Sequence, residues 1–308
     1  MKRKILHMIF LFSVPIISLS IFGCASIERT TYFGDIETSG PIISPPTHVN
    51  IDKQPGEITI SPKISLISMQ SIKGTTNDRL DKTINLPDGN TYSASEENLL
   101  WNFSDYTLSA DLDYKFSHLF SIFGGMNISG QRNSQTYTGG YLGLGIHNYE
   151  GPFSIRFDLG LNIQNYDYIA VTVIYTRTNT VFGSDESMEV YKDKGKSTNI
   201  NPFFTLIVNT NEKNKLMNFF GELGFFSQSI LNLDPGESNF NSFSILYSSV
   251  AFDKKAIYTA YFIYLTPGIN LNLSPNVKLV LATKVIKYLN VGPKSIIMLP
   301  SIQMDFQI

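Results

Sequence analysis

The chain has 308 residues, 43% apolar and 16% charged, a charged share well under the roughly 25% of soluble domains. Lys+Arg 24 against Asp+Glu 26 gives a net charge of -2, which excludes the basic excess of a nucleic-acid-binding protein. The apolar share excludes a disordered acidic chain, and a single Cys excludes a disulfide framework or a thiolate metal cluster.

Lys2, Arg3 and Lys4 form a basic start, followed by the mostly apolar stretch Ile5 to Ile21. A short apolar core behind a basic start reads as a signal peptide. Ile21-Phe22-Gly23-Cys24 resembles the lipobox of bacterial lipoproteins, with Phe22 bulkier than the usual residue there. The resemblance implies cleavage before Cys24 and acylation of its thiol; ordinary cleavage after Ala25 is the alternative. No second stretch of about 18 apolar residues follows, so no transmembrane helix is expected in the mature chain.

Ser26 to Gly56 holds Pro41, Pro45, Pro46 and Pro55 with Gly34, Gly40 and Gly56. Such a stretch interrupts helix and sheet alike and reads as a semi-extended tether. The expected organisation is a signal peptide over 1–23, a lipid-anchored periplasmic tether over 24–55 and a β-domain over 56–308.

From Gly56 onward the hydrophobic period is 2. Tyr106, Leu108, Ala110, Leu112, Tyr114 and Phe116 alternate with Thr107, Ser109, Asp111, Asp113, Lys115 and Ser117. Phe153 to Gln164 and Met298 to Ile308 repeat the pattern. Weaker alternation over 57–69, 120–128, 142–146, 204–208, 217–225, 257–273 and 277–285 brings the expectation to about ten strands. Short connections at Ser117-His118, Asn148–Pro152, Asn209–Lys215 and Ser274–Asn276 take turns with longer ones at 72–102, 131–139, 165–198, 229–254 and 287–294. Thr172 to Phe182, within one of these, is rich in β-branched residues and suits an extended hairpin.

Alternating strands with this order of connections, and aromatic residues such as Tyr106, Tyr114, Phe153 and Tyr166 near strand ends, resemble bacterial outer-membrane β-barrels. That family implies an all-β, antiparallel up-and-down barrel with short periplasmic turns and long extracellular loops. A chain ending inside its last strand resembles the C-terminal signal by which the barrel-assembly machinery takes up such proteins, although Ile308 replaces the usual terminal aromatic. The implied partners are outer-membrane lipid and that machinery, with no nucleic acid and a surface partner the loops do not identify.

In a membrane barrel the polar faces turn inward. They carry Asp111, Asp113, Lys115, Arg156, Asp158, Glu222, Lys278 and Lys284, expected as a lumen-facing network of ion pairs. A barrel of about ten strands is narrow enough for side chains to fill. A structural or surface-interaction role is therefore the leading expectation. A soluble periplasmic barrel lipoprotein, with its apolar faces lining a ligand cavity, is a second, and a narrow channel or transport barrel is a third.

Catalytic and metal constellations are weak: the mature His residues are His48, His118 and His147, and metal-ligand spacing is absent. No enzyme activity, cofactor or metal is expected. The run Gly139-Gly140-Tyr141-Leu142-Gly143-Leu144-Gly145 lacks a following helix and suits close packing in a strand rather than a dinucleotide site.

Overall fold

The structure, a computed structural model, describes residues 26–308 apart from 43, 50–53, 76–78, 86–88, 131–134, 149–152, 181–182, 211–215, 234–255 and 290–295. The signal peptide and Cys24 lie outside the described residues.

Among the described residues fifteen strands follow in chain order: β1 Ser26–Gly40, β2 Ile58–Leu66, β3 Ser71–Gly74, β4 Ile84–Asn85, β5 Thr91–Tyr92, β6 Leu99–Phe103, β7 Tyr106–Lys115, β8 Phe120–Gly130, β9 Thr136–Asn148, β10 Phe153–Thr180, β11 Gly183–Thr210, β12 Met217–Leu233, β13 Ala256–Ser274, β14 Val277–Tyr288 and β15 Ile296–Gln307. Ten of them form one closed antiparallel ring, β2-β7-β8-β9-β10-β11-β12-β13-β14-β15, with β15 returning to β2. Closure is sealed by Ile58 and Ile308, which exchange both backbone hydrogen bonds at 3.0 and 2.8 Å. A closed ring leaves no unpaired edge, the condition for a sheet to stand in lipid.

The ring has two distinct ends. The strand ends Lys115 and Phe120, Asn148 and Phe153, Thr210 and Met217, and Ser274 and Val277 lie at the end that holds Ile58 and Ile308, here called the turn end. Leu66, Tyr106, Gly130 and Thr136 mark the opposite loop end.

The period-2 pattern sorts side chains as elementary geometry requires. Leu112, Phe157 and Ile302 are 48, 40 and 52% exposed, while their neighbours Asp111, Asp158 and Gln303 are 6, 0 and 4% exposed. The apolar faces point outward, which corrects the second expectation, that of a soluble barrel lined by them.

The chain divides into two units, 1–35 with 77–95 and 171–192, and 36–76 with 96–170 and 193–308. The larger contains the barrel. The smaller packs its own apolar cluster of Leu80, Ile84 and Val173 against Tyr32, Tyr92, Ala94 and Val190. There Tyr92 donates to Asp35 Oδ2 at 3.1 Å, and Ser95 Oγ and N donate to Asp35 Oδ1 at 2.6 and 3.0 Å.

Three expectations are corrected. Residues 26–40 of the supposed tether are strand β1, whose Ile36–Gly40 pairs in parallel with Leu99–Phe103 of β6. Residues 44–49 of the same segment lie inside the barrel, as described below. The connection 165–198 is mostly strand, because β10 and β11 run on to Thr180 and from Gly183, and 72–102 carries β3 to β6.

Candidate functional site: the occupied lumen

The barrel interior has two layers. The first, towards the loop end, is apolar and aromatic: Trp101, Tyr166, Phe203, Phe226 and Phe262 are buried together with Ile42. Trp101 meets Phe262 edge to face at 5.9 Å, and Phe226 stacks on Phe262 at 4.7 Å, within the range where aromatic pairs attract beyond area burial.

Below it lies a charged layer threaded by residues 44–49, with Pro41 and Ile42 above them. The segment descends by steps that hydrogen bonds fix. Gln228 Nε2 donates to the Pro41 carbonyl at 2.7 Å. Lys284 Nζ donates to the Pro45 carbonyl at 2.9 Å and to Glu222 Oε1 at 3.1 Å. Thr47 Oγ1 donates to Glu222 Oε2 at 2.8 Å, and Gln303 Nε2 donates to the Thr47 carbonyl at 3.0 Å. Asn209 Nδ2, on the last turnward stretch of β11, donates to the Val49 carbonyl at 2.8 Å. A Pro-rich segment forms no ladder of its own, so its carbonyls are satisfied by side chains from the wall. That is the accounting buried backbone demands.

His48 is the centre of this layer. Its Nε2 stands 2.5 Å from Asp111 Oδ2 and its Nδ1 2.7 Å from Asp158 Oδ2. With both carboxyls ionised each can only accept, and the imidazole between them then donates from both nitrogens and carries two protons. The ring is thus a cation between two anions, and it rests on Phe123 at 4.6 Å between centroids. Arg156 extends the network: Nε donates to Asp158 Oδ1 at 2.6 Å, and Nη1 and Nη2 donate to Asp113 at 2.6 and 3.2 Å. On the other wall Glu222 takes Lys284 and also accepts from Tyr264 OH at 2.9 Å. The Lys284 ammonium lies 4.1 Å from the centre of the Tyr264 ring.

Of the eight residues expected to face the lumen, Asp111, Asp113, Lys115, Arg156, Asp158, Glu222 and Lys284 are buried. Lys278 is half-buried near the turn end, opposite Asn272 and Asp305 in the ladder. The structure joins Asp111, Asp113, Arg156 and Asp158 into one group through His48 and Arg156, and pairs Glu222 directly with Lys284 in another, to which Thr47 adds a bond. Sequence reasoning missed His48 and Thr47, because they sat in the supposed tether. The available signal was the apolar character of that segment: Ile42, Ile43, Val49 and Ile51 are more than a solvated tether needs.

Beside the segment, a cavity of about 30 Å³ is lined by Ser61, Lys63, Ser65, Thr107, Ser109 and Asp111 among others. A water needs about 10–15 Å³ by this measure, so the space suits one or two waters. Among the described residues no group of three His, Cys, Asp or Glu side chains is set to hold a metal ion.

The fold is a closed antiparallel ten-strand β-barrel whose apolar faces point outward. Solved structures similar to it include the outer membrane protease OmpT from Escherichia coli, at 10% identity and TM-score 0.45 over 84% of this chain and 100% of that one. The translocator domain of the autotransporter NalP from Neisseria meningitidis is similar at 9% identity and TM-score 0.33, over 83% and 90%. LpxR from Salmonella typhimurium is similar at 8% identity and TM-score 0.33, over 80% and 99%. The likeness is one of fold, which proteins of different activity share. The sequence matches no protein-family model and no curated protein.

Proposed function

We propose that this chain is a bacterial outer-membrane barrel closed by its own N-terminal segment, with an envelope structural or surface-interaction role rather than a conducting one. The observation that carries this reading is the occupied lumen: His48 is locked between Asp111 and Asp158, below an aromatic layer. The turn end faces the periplasm in this reading, as short turns do in such barrels. The C-terminal strand β15 serves as the contact to the barrel-assembly machinery. Cys24 bears the acyl anchor that its lipobox-like setting suggests, which intact mass of the mature protein would report.

Planar-bilayer recording tests the closed state. The purified full-length protein is expected to be electrically silent, and a variant with residues 41–49 replaced by a Gly/Ser segment of equal length is expected to conduct. Steady conductance from the full-length protein would replace this reading with that of a narrow channel.

A further inference from the structure

We infer that the chain enters the barrel from the cell surface, so that the start of the mature protein is displayed outside while the barrel's first strand begins in the periplasm. The inference rests on the orientation proposed above and goes beyond it.

The direction of threading follows from contacts at each end. At the loop end, Ile36–Gly40 is paired with β6. The Ser104 amide donates to the Gly40 carbonyl at 3.3 Å, and the next amide, Asp105, donates to the Gly130 carbonyl at 2.9 Å. Gly130 is the loop-end terminus of β8, so Gly40 stands at that end of the wall. From there the acceptors descend in order: Pro41, Pro45, Thr47, then Val49 at Asn209. At the turn end the chain is caught again, where the Gly56 amide donates to the Lys115 carbonyl at 2.7 Å. From Pro41 through Pro45 and Thr47 to Val49 the chain therefore runs from loop end to turn end, opposite to the path of a tether rising from a periplasmic anchor.

An anchor in the inner leaflet is hard to reconcile with this path. About twelve residues separate Cys24 from Ile36, a reach of about 40 Å fully extended. That length could pass the roughly 30 Å hydrocarbon layer only as a bare strand outside the barrel, with backbone groups unsatisfied in lipid. The partner that fits is the outer leaflet. Acyl chains on Cys24 would enter it directly, and the chain would then be held at the surface by lipid and by the barrel together.

The experiment uses the full-length protein in intact cells and a membrane-impermeant maleimide, scored against the parent chain. Glu37, exposed at the loop end, and Asn276, exposed in the turn between β13 and β14, are each replaced by Cys. Heat-modifiable gel mobility verifies that both variants are folded. The expected result is that Glu37→Cys labels as fully in intact cells as after permeabilisation, whereas Asn276→Cys labels only after permeabilisation. Protection of both sites in intact cells overturns the threading and leaves the proposed orientation standing. Labelling of Asn276→Cys in intact cells overturns the orientation itself, and the surface display with it.

Discussion

His48 and Asp158 are 110 positions apart in sequence, yet the Nδ1 of one stands 2.7 Å from a carboxylate oxygen of the other. The second imidazole nitrogen meets Asp111 of β7. One side chain of the threaded segment thus joins β7 to β10, three strands away in the ring. His48→Ala would leave two buried carboxylates facing a void. Removing one partner of a buried charged group costs about 3–5 kcal/mol, so this variant should unfold at lower temperature or denaturant concentration. Pairing it with Asp111→Asn should recover part of the loss, because less uncompensated charge remains. A heat-modifiability titration of the single and double variants is the check, and equal stability for His48→Ala and the parent would refute the role assigned to the ring.

Lys284 serves the other wall, donating both to Glu222 and to the Pro45 carbonyl. Lys284→Met keeps most of the side-chain volume but removes the ammonium bonded to Glu222, which retains the neutral donors Thr47 and Tyr264 and the nearby Lys63. The expected loss is again about 3 kcal/mol. The Lys284→Met, Glu222→Gln double variant should lie closer to the parent than Lys284→Met does.

Gly145 sits where a Cβ would come within 2.7 Å of both the Arg156 guanidinium and Asp158, and 2.6 Å from Ser121 Oγ. Gly145→Val should therefore push the ion network apart and lower the yield of heat-modifiable barrel. Gly221→Ala is the matched control, since nothing lies within 4 Å of the added methyl. It should fold like the parent.

Leu142 is at the middle of β9 and 62% exposed on the outer face. If that face meets hydrocarbon, Leu142→Arg should cost about 2–4 kcal/mol in folding into bilayers. In water an exposed Leu-to-Arg change would be nearly neutral. Folding equilibria in lipid vesicles separate the two cases.

In the smaller unit, burial pushes the Tyr92 phenol up to about 12, with the Asp35 charge beside it adding to the rise. The unfolded chain gives up that proton first, near its ordinary value of about 10. Stability contributed by this phenol is then present below pH 10 and lost between about 10 and 12. Tyr92→Phe should remove that alkaline sensitivity, as read by proteolysis of 77–95 across the same pH range.

The sequence made the barrel wall legible because lipid on one side and polar contents on the other impose strict alternation, as in Tyr106 to Ser117. The interior aromatic layer was harder to read. It is built where alternation breaks down into adjacent aromatics: Phe203 and Phe226 point inward while Phe204 and Phe225 stack outward at 5.5 Å. A pair of neighbouring Phe residues gives one ring to each face, which a search for a single apolar face discounts. The threaded segment was illegible for a different reason. Pro-rich chain has no periodicity to read, and its binding sites lie on strands 63 to 256 positions away. The long β10–β11 hairpin was only hinted at by the β-branched run near Thr172, because a mixed polar composition on both faces carries no clear period.

A segment that passes through a ring closed by hydrogen bonds is a lasso topology. Once Ile58 and Ile308 have joined, with residues 41–49 inside and the pairing of Ile36–Gly40 with β6 at the loop end, the N-terminal part cannot be drawn back without breaking that pairing or opening the ring. Thread and ring thus hold each other: the seam between β2 and β15 encloses the segment, and the β1–β6 pairing keeps its upper end from slipping back through the lumen.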